Sequence, residues 1–336
     1  MRMNLFFLIF SLLMISSCQK NGCNSRQTVV VYTSIDQVFS EPILQMCAKK
    51  TGLRVKTVFD TEETKSTGVL NRLLAEAKNP QADIFWSGDP VRPFALIKRG
   101  LVQPYQSKIA QDIPKTFKDD KGYWTGFAAR ARVLLVNTKK VTLKEIHSIK
   151  DLIDPRWKGQ TAIANPLYGT TTMHIGALFT LWGTKQAKQF MRSLKANKVR
   201  IASSNGEVKR LVVSGEVAFG LTDTDDAFEA QKKNPHIAIV YPDQKGIGTL
   251  LMPTTTILLK NSPHSSNGRR FLDCLFSKQV EQQMAKLAAH MPLRQGISLP
   301  KGIRDAKSIK FMKINYAQVN SMVEKIQPWL RKWVGH

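Results

Sequence analysis

The chain has 336 residues, of which 50 are Lys or Arg and 25 are Asp or Glu, giving a formal net charge of +25. This length allows about two domains, and the positive charge favours anionic partners. The basic residues are spread along the whole chain without an Arg-rich arm, a zinc-finger spacing or an aromatic RNA-binding signature, so we expect no nucleic-acid partner. A small anionic ligand and a merely basic, solvated surface remain as explanations of the charge.

The first residues have the features of a secretory signal. Arg2 precedes the apolar segment 5–15, which is too short for a comfortable membrane span, and two small residues then precede Cys18. The Ile-Ser-Ser-Cys sequence resembles a bacterial lipobox, in which the cysteine becomes the lipidated first residue. We expect residues 1–17 to be a signal peptide and 18–27 a tether, with an ordinary signal peptide as the alternative. The mature protein is then expected in the bacterial periplasm, anchored by lipid to a membrane.

The cysteines do not indicate a metal site. If Cys18 carries lipid, Cys23, Cys47 and Cys274 remain, and their spacing does not fit a metal-binding pattern. Cys47 and Cys274 lie in amphipathic helical patterns, where we expect buried, small apolar residues. A disulfide between them is left open.

The first part of the chain repeats a strand followed by a helix. Strand patterns at 28–32, 53–59 and 82–86 alternate with helical patterns at 41–51, 68–78 and 93–99. This alternation predicts a parallel sheet with helices on both faces, and ligands gather at the carboxyl ends of such strands. Those ends carry small or polar residues, among them Thr33, Ser34, Asp36, Asp60, Glu62, Ser87, Gly88 and Asp89.

A second unit of the same kind is predicted over roughly 130–245. It follows a long strand pattern at 126–137 that has Arg130 and Arg132 near its start. Another long strand pattern at 248–259 and further helices complete the chain. We expect His174, just inside an apolar helix, to be a core histidine with satisfied hydrogen bonds.

An acidic cluster ends the second unit's most apolar strand pattern. The stretch 217–227, VAFGLTDTDDA, passes from buried-type residues to Asp223, Asp225 and Asp226. Three carboxylates in four residues repel one another, so a cation, nearby Arg or Lys, or open water is expected beside them. The alternative is a solvated turn with an Asp that caps a helix.

The order of these segments resembles a known family, the bacterial periplasmic solute-binding proteins of ABC importers, in their ferric-iron-binding branch. The segments that carry the resemblance are VVVYTSID, KKTGLRV, NPQADIFWSGDP, LIKRGLVQPY, ARARVLLVNTKK, DPRWKGQTAIANP, VVSGEVAFGLTDTDDA and TTTILLKNSPH. The resemblance implies an α/β, two-lobed type II periplasmic-binding-protein fold with a crossing-strand hinge and a ligand cleft between the lobes. It also implies a monomer that delivers a small solute to the permease and ATPase subunits of an importer.

The lobe boundaries that we predict follow from this resemblance. The first lobe would comprise residues 28–129 and about 250–295. The second would comprise about 130–249 and about 296–336.

The resemblance makes Fe(III) one expected ligand, as transported cargo and not as a resident cofactor. Iron binders of this family hold the ion with two adjacent tyrosines, often with a His and a Glu. The tyrosine positions fall at Thr224 and Asp225, and the His and Glu positions at Asp36 and Gly88. A substitute metal site made of carboxylates would use Asp36, Asp89, Asp223 and Asp225, since hard cations favour oxygen ligands.

The alternative ligand is a small anionic organic compound, phosphate or sugar phosphate. By resemblance, Arg130, the 169–172 turn (Gly169, Thr170, Thr171, Thr172) and Asn205 match an anion site beside the metal. Hydroxyls, amides at a helix start and a guanidinium suit such a ligand. Thr33, Ser34, Asp36, Ser87, Asp223 and Asp225 complete the predicted ligand-binding set. Alternatively, the threonines only cap a helix, and Arg130 only pairs with Asp223 or Asp225.

An enzyme and a polyanion-binding surface lipoprotein are the two other classes of function. The motifs G-x-S-x-G, P-loop and H-E-x-x-H are absent from the sequence, which argues against an enzyme. A surface lipoprotein that binds polyanions through net charge alone would bind in a salt-sensitive manner that does not depend on the cleft.

Overall fold

The computed structural model describes residues 27–60 and 67–335. The predicted signal peptide, Cys18, Cys23, Glu62 and nearly all of the tether lie outside these residues. Ten strands are found in the described part of the chain: β1 Thr28–Thr33, β2 Arg54–Phe59, β3 Ile84–Ser87, β4 Val102–Gln103, β5 Thr125–Asn137, β6 Thr161–Ala164, β7 Arg200–Ala202, β8 Phe219–Asp223, β9 Ile237–Val240 and β10 Leu251–Leu259.

The helices of the same residues alternate with these strands over most of the chain. They are α1 Gln37–Thr51, α2 Thr67–Ala75, α3 Val91–Lys98, α4 Gly169–Ala196, α5 Asn205–Ser214, α6 Thr224–Lys233, α7 Ser265–Leu275, α8 Lys278–Ala288 and α9 Tyr316–Val334. Helix α4 consists of two helical pieces because Gly183 has a φ of 76°, outside the helical region.

The strands form one continuous ladder with a parallel sheet at each end. The order is β2-β1-β3-β10-β5-β8-β6-β7, with β4 on β10 and β9 on β5. Strands β1, β2 and β3 pair in parallel, as do β6, β7 and β8. Each parallel group is covered by helices, as the strand–helix alternation predicts. The prediction of two α/β lobes is confirmed.

Strands β5 and β10 join the two lobes and form the hinge. Residues 125–131 of β5 pair with β10, and Arg132 to Val136 pair with β8 in the second lobe. All 13 residues of β5 are buried. The ladder shifts register between Pro253 and Thr254, opposite Ala128, whose φ is 44°. The amide of Ala128 donates to the buried carboxylate of Glu281 at 3.0 Å, so the irregular residue keeps a hydrogen-bond partner.

The C-terminal helix α9 contacts both lobes. Its Val323 packs so closely on α4 that a Cβ added at Gly176 would lie 2.5 Å from Val323 Cγ2. Trp333 donates its indole N–H to the carbonyl of Met191, 3.1 Å away. Toward the first lobe, Glu324 accepts from Lys98 Nζ at 2.8 Å. The C-terminal helix therefore ties the second lobe to α3 of the first.

A disulfide joins Cys47 of α1 to Cys274 of α7, 227 residues apart in sequence. Both cysteines are buried, as their helical patterns predict. The bond fastens two helices that pack on the same side of the first lobe.

Within residues 27–60 and 67–335, no helix is both long enough and apolar enough to cross a membrane.

Candidate functional site

A small cavity lies between the lobes, where the carboxyl ends of strands from both sheets meet. Its volume is about 40 Å³, and its walls come from the first lobe at Ser34, from the hinge at Arg130, and from the starts of α4 and α5. The predicted ligand residues that line it are Ser34, Arg130, Gly169, Thr170, Thr171, Asn205 and Asp223. The structure therefore brings these seven residues together at one cavity between the lobes.

Arg132 is the centre of the polar cluster behind this cavity. Its side chain is fully buried, and Nη1 donates to Asp223 Oδ1 at 2.6 Å and to Asn205 Oδ1 at 3.0 Å. The two hydroxyls at the start of α4 accept from the same guanidinium, Thr170 at 3.1 Å from Nη1 and Thr171 at 3.1 Å from Nη2. One buried cation thus positions two helix starts and one carboxylate.

Arg132 is a residue that our predicted set omits. Side chains two residues apart on a strand point to the same face, so Arg130 on a long strand places Arg132 beside it. That period of two was the signal available in the sequence.

Arg130 links the two lobes through the cleft. Its side chain is 9% exposed, and Nη1 lies 3.1 Å from both Asp223 Oδ2 and Asp225 Oδ2. Nη2 donates to the carbonyl of Gly88 in the first lobe at 2.8 Å. Burial lowers the pKa of Arg130, but Asp225, Asp223 and Asp36 raise it by a larger amount, so the guanidinium stays charged. Arg130 therefore both pairs with the carboxylates and lines the cavity.

The threonines at the start of α4 do more than cap the helix. The residue before the helix, Tyr168, provides no side-chain cap. Thr170 Oγ1 is 2.9 Å from Asp223 Oδ2 and 2.9 Å from Asn205 Nδ2, so it belongs to the polar cluster. Thr172 is buried, its hydroxyl has no partner among the described residues, and it does not line the cavity.

The acidic stretch is both a strand end and a helix start. Helix α6 begins at Thr224, but Asp223 makes no capping bond to it because its oxygens face the arginines. Asp226 lines the cavity and pairs with Lys209 Nζ at 3.0 Å. Burial and the neighbouring Asp225 raise the pKa of Asp226 to about 7. Arginine and lysine partners, rather than open water, offset the repulsion that the sequence predicts.

His290 is a second residue that sequence reasoning missed. It is 1% exposed, and its Nε2 lies 3.9 Å from Asp225 Oδ2. Burial lowers the pKa of His290, although Asp225 opposes that shift. No local pattern marks this residue, because it reaches the cluster through the pairing of Ala129 with Met291 across the hinge.

The polar residues of the first lobe mostly bond to backbone groups at the strand ends and at the start of α3. Thr33 Oγ1 donates to the carbonyl of Trp86 at 2.9 Å, and Ser34 Oγ accepts from the amide of Gly88 at 2.9 Å. Asp89 Oδ1 accepts from the amides of Val91 and Arg92 and so caps α3. Of the first-lobe residues in our predicted set, Ser34 lines the cavity, and Thr33, Asp36 and Ser87 do not.

The predicted metal-ligand set does not form one group. In the part of the chain that the structure describes, no three or more His, Cys, Asp or Glu side chains gather in an arrangement that could hold a metal ion. Asp89 accepts a hydrogen bond from the backbone at the start of α3, while Asp223 and Asp225 form ion pairs with Arg130. At the family's tyrosine position, Thr224 Oγ1 instead accepts from the amide of Ala131 on the hinge strand.

His174 is buried, as expected, but its hydrogen bonds are not satisfied. Neither ring nitrogen has a partner among the described residues. Burial, assisted by the nearby charge of Arg132, lowers the pKa of His174 well below its usual value. The imidazole is therefore neutral at pH 7. The prediction of a satisfied core histidine is wrong on this point.

The fold and the cleft define a solute-binding protein of the two-lobed type. The family model described as bacterial extracellular solute-binding protein matches residues 79–320. The chain belongs to this family, which confirms the resemblance read from the sequence.

Two relatives in sequence have names that point to different ligands. Iron uptake protein A1 of Synechocystis sp. is 25% identical over 290 residues, covering 83% of this chain and 79% of that protein. A putative 2-aminoethylphosphonate-binding periplasmic protein of Salmonella typhi is 24% identical over 291 residues, covering 85% and 79%.

Two solved structures show the same fold. The ferric binding protein from Campylobacter jejuni superposes with a TM-score of 0.83 at 20% identity, covering 91% of this chain and 99% of that one. The periplasmic binding protein AfuA from Actinobacillus pleuropneumoniae, with fructose-6-phosphate bound, gives 0.78 at 21% identity, covering 91% and 97%. At these identities the likeness concerns the fold alone.

Proposed function

We propose that this protein is the substrate-binding component of an ABC importer and that its ligand is a small anion carrying a phosphate or phosphonate group. One observation carries the proposal: the starts of α4 and α5, with Thr170, Thr171 and Asn205, open onto the same cavity as Arg130. Amide groups at helix starts, hydroxyls and a guanidinium are the donors that an oxyanion requires.

The charges inside the cleft decide how an anion would be held. Arg130 and Arg132 are already paired with Asp223 and Asp225, so the cluster is close to neutral. The ligand's negative charge would then meet the helix starts and neutral donors, while Asp226 or Asp223 would accept from a hydroxyl or amine on the ligand. This division suits a molecule with an oxyanion at one end and a donor at the other, and the names of the phosphonate-binding relative and of the fructose-6-phosphate complex support it.

Fe(III) is the second candidate, favoured by the names of the iron-binding relatives. Against it stand the absence of tyrosine at Thr224 and Asp225 and the arginine partners of the carboxylates. An arginine that competes for a carboxylate weakens a hard-cation site, because the guanidinium cannot be deprotonated.

The size of the cavity indicates that larger ligands enter an opened cleft. A volume of about 40 Å³ is space for roughly three water molecules or one small oxyanion. A sugar phosphate therefore requires the lobes to separate about the β5–β10 hinge and close again around it.

The disulfide supports export to an oxidising compartment. Cys47–Cys274 is a bond of the kind that persists outside the cytosol. It fits the proposed periplasmic location. We further propose, from the family resemblance, lipid anchoring through Cys18, a monomeric state and delivery to a permease and ATPase. We propose a transport role and no catalytic one.

The proposal is tested by thermal denaturation and isothermal titration calorimetry with phosphate, 2-aminoethylphosphonate, fructose-6-phosphate and ferric citrate. A bound ligand raises the melting temperature by mass action, so at least one phosphorus-containing ligand should do so. Asn205→Ala should abolish most of that shift, whereas Asn261→Ala, at a turn far along the chain from the cleft residues, should not. Tight binding of ferric ion by the unmodified protein, with no response to any phosphorus-containing ligand, would overturn the anion proposal in favour of iron.

A further inference from the structure

A second groove, separate from the cleft, is lined by lysines from three elements. It has a volume of about 910 Å³ and shares no lining residue with the interlobe cavity. Lys232 comes from α6 in the second lobe, Lys286 from α8 in the first, and Lys301 from the segment between α8 and α9. We call this the lysine groove.

The three lysines differ from several other lysines in their ion pairing. Among residues 27–60 and 67–335, no Asp or Glu oxygen forms an ion pair with any of them, although Lys98, Lys209, Lys233 and Lys278 all have one. The nearest acidic residue on α6, Glu229, is taken by Lys209 and Lys233. The positive charges of these exposed lysines are therefore available to an anion in the groove.

The groove also has neutral hydrogen-bonding groups in fixed positions. Gln282 Nε2 donates to the carbonyl of Ser298 at 2.9 Å, and Ser298 Oγ donates to Gln282 Oε1 at 3.2 Å. These two bonds fasten the segment that carries Lys301 to α8, which carries Lys286. Gln231, on α6, also lines the groove. Two of the three lysines are thus held on a common framework.

We propose that the lysine groove is a second binding site, for a multivalent oxyanion of the oligophosphate class. Ammonium groups are compact charges that bind phosphate oxygens well, and three of them on separate elements favour a ligand with several negative charges spaced along it. The cleft, where both arginines are neutralised by carboxylates, is suited to a smaller and less charged ligand.

The lysine groove spans both lobes, so an anion bound in it would affect the relative position of the lobes. An anion held by Lys232 and Lys286 together binds best when α6 and α8 are at the separation found here. Its binding therefore favours this arrangement of the lobes over a more open one.

The test is calorimetric titration with inorganic tripolyphosphate. The triple variant Lys232→Gln, Lys286→Gln, Lys301→Gln should bind about tenfold more weakly than the unmodified protein, as expected when several exposed ion pairs are lost together. A control with the same charge change, Lys49→Gln, Lys78→Gln, Lys144→Gln, removes exposed lysines elsewhere and should alter the affinity by less than about twofold. Circular dichroism melts establish that both triple variants are folded.

Equal losses in the two triple variants would overturn the proposal, because binding would then follow net charge alone. A loss caused by Asn205→Ala instead of the groove variant would also overturn it, since tripolyphosphate would then be bound in the cleft. Retained affinity in Asn205→Ala together with the loss in the groove variant supports a separate site.

Discussion

The carboxyl edges of the two sheets face the same cleft, yet their polar side chains have different partners. In the first lobe Thr33 and Ser34 bond to backbone groups of Trp86 and Gly88 at the neighbouring strand end, and Asp89 bonds to the start of α3. In the second lobe Thr170, Thr171 and Asn205 bond to a buried arginine. Bonds to backbone groups hold neighbouring strand ends together, whereas the bonds to the buried arginine join the side chains of several elements into one polar cluster. We therefore expect the second lobe to carry the more specific half of the site.

The largest effect is expected from removing the shared cation. Arg132→Met leaves Asp223 buried without its shortest ion pair, which should lower the free energy of unfolding by about 3–5 kcal/mol. Urea denaturation followed by circular dichroism measures the change.

Arg156→Gln is the matched control for Arg132, because the side chain of Arg156 is 60% exposed and pairs at the surface with Asp154. Its unfolding midpoint should stay close to that of the unmodified protein. Similar losses in the two variants would mean that the Arg132 cluster is not the structural centre of the second lobe.

The disulfide tests the first lobe separately. Cys47→Ser with Cys274→Ser should cost about 2–5 kcal/mol of stability, since the bond restricts a loop of more than two hundred residues in the unfolded chain. Ligand affinity should change little, because neither cysteine lies near the cleft cavity. Guanidinium denaturation measures the stability, and calorimetric titration of the same preparation measures the ligand affinity. A large loss of affinity would show that the cleft depends on the first lobe more than we infer.

Binding should respond more to the second lobe than to the first. Asn205→Ala or Thr171→Val should weaken binding of the phosphorus-containing ligand about tenfold, the effect of losing one hydrogen bond to a charged group. Thr33→Val should change the affinity by less than about twofold, since the Thr33 hydroxyl bonds to the carbonyl of Trp86 and does not line the cavity. Calorimetric titration of the three variants ranks them. The reverse ranking would assign the specific half of the site to the first lobe.

Arg130 differs from Asn205, Thr171 and Thr33 because it contacts both lobes. Arg130→Ala is expected to weaken binding and to lower stability together, since Asp225 and Asp223 lose a buried partner.

The smallest effect is expected on the pH dependence of stability. His174 has a folded pKa well below its usual value of 6.5, so the unfolded chain binds the extra proton as pH falls through that value. Its contribution to stability is complete above pH 6.5 and is lost at up to about 1.4 kcal/mol per pH unit below it.

His174→Met should reduce the slope of unfolding free energy against pH between pH 6.5 and 5, and His147→Gln, near the surface, should not. Chemical denaturation at several pH values measures the slopes. An unchanged slope in His174→Met would assign the acid sensitivity to His290 or to the carboxylates.

Much of the fold followed from patterns of a few residues. Alternating β-branched runs and helical periods predicted the strand–helix order, and the long runs at 126–137 and 248–259 became the hinge strands β5 and β10. The two-residue strand β4 and the four-residue strand β9 were not predicted. Short segments carry too little periodicity, and these two are strands only because β10 and β5 offer them an edge to pair with.

Local periodicity was enough to predict the strand–helix order and the polar strand ends, because both are written along the chain. The family and its two-lobed fold were predicted from the resemblance that the order of whole segments carries. Which polar side chains meet could not be predicted in this way: Arg132 and His290 entered the cluster, the four predicted metal carboxylates were not brought together, and Cys47 met Cys274. Such pairings join residues far apart in sequence, and their free energy depends on burial and distance, which exist only once the lobes have folded.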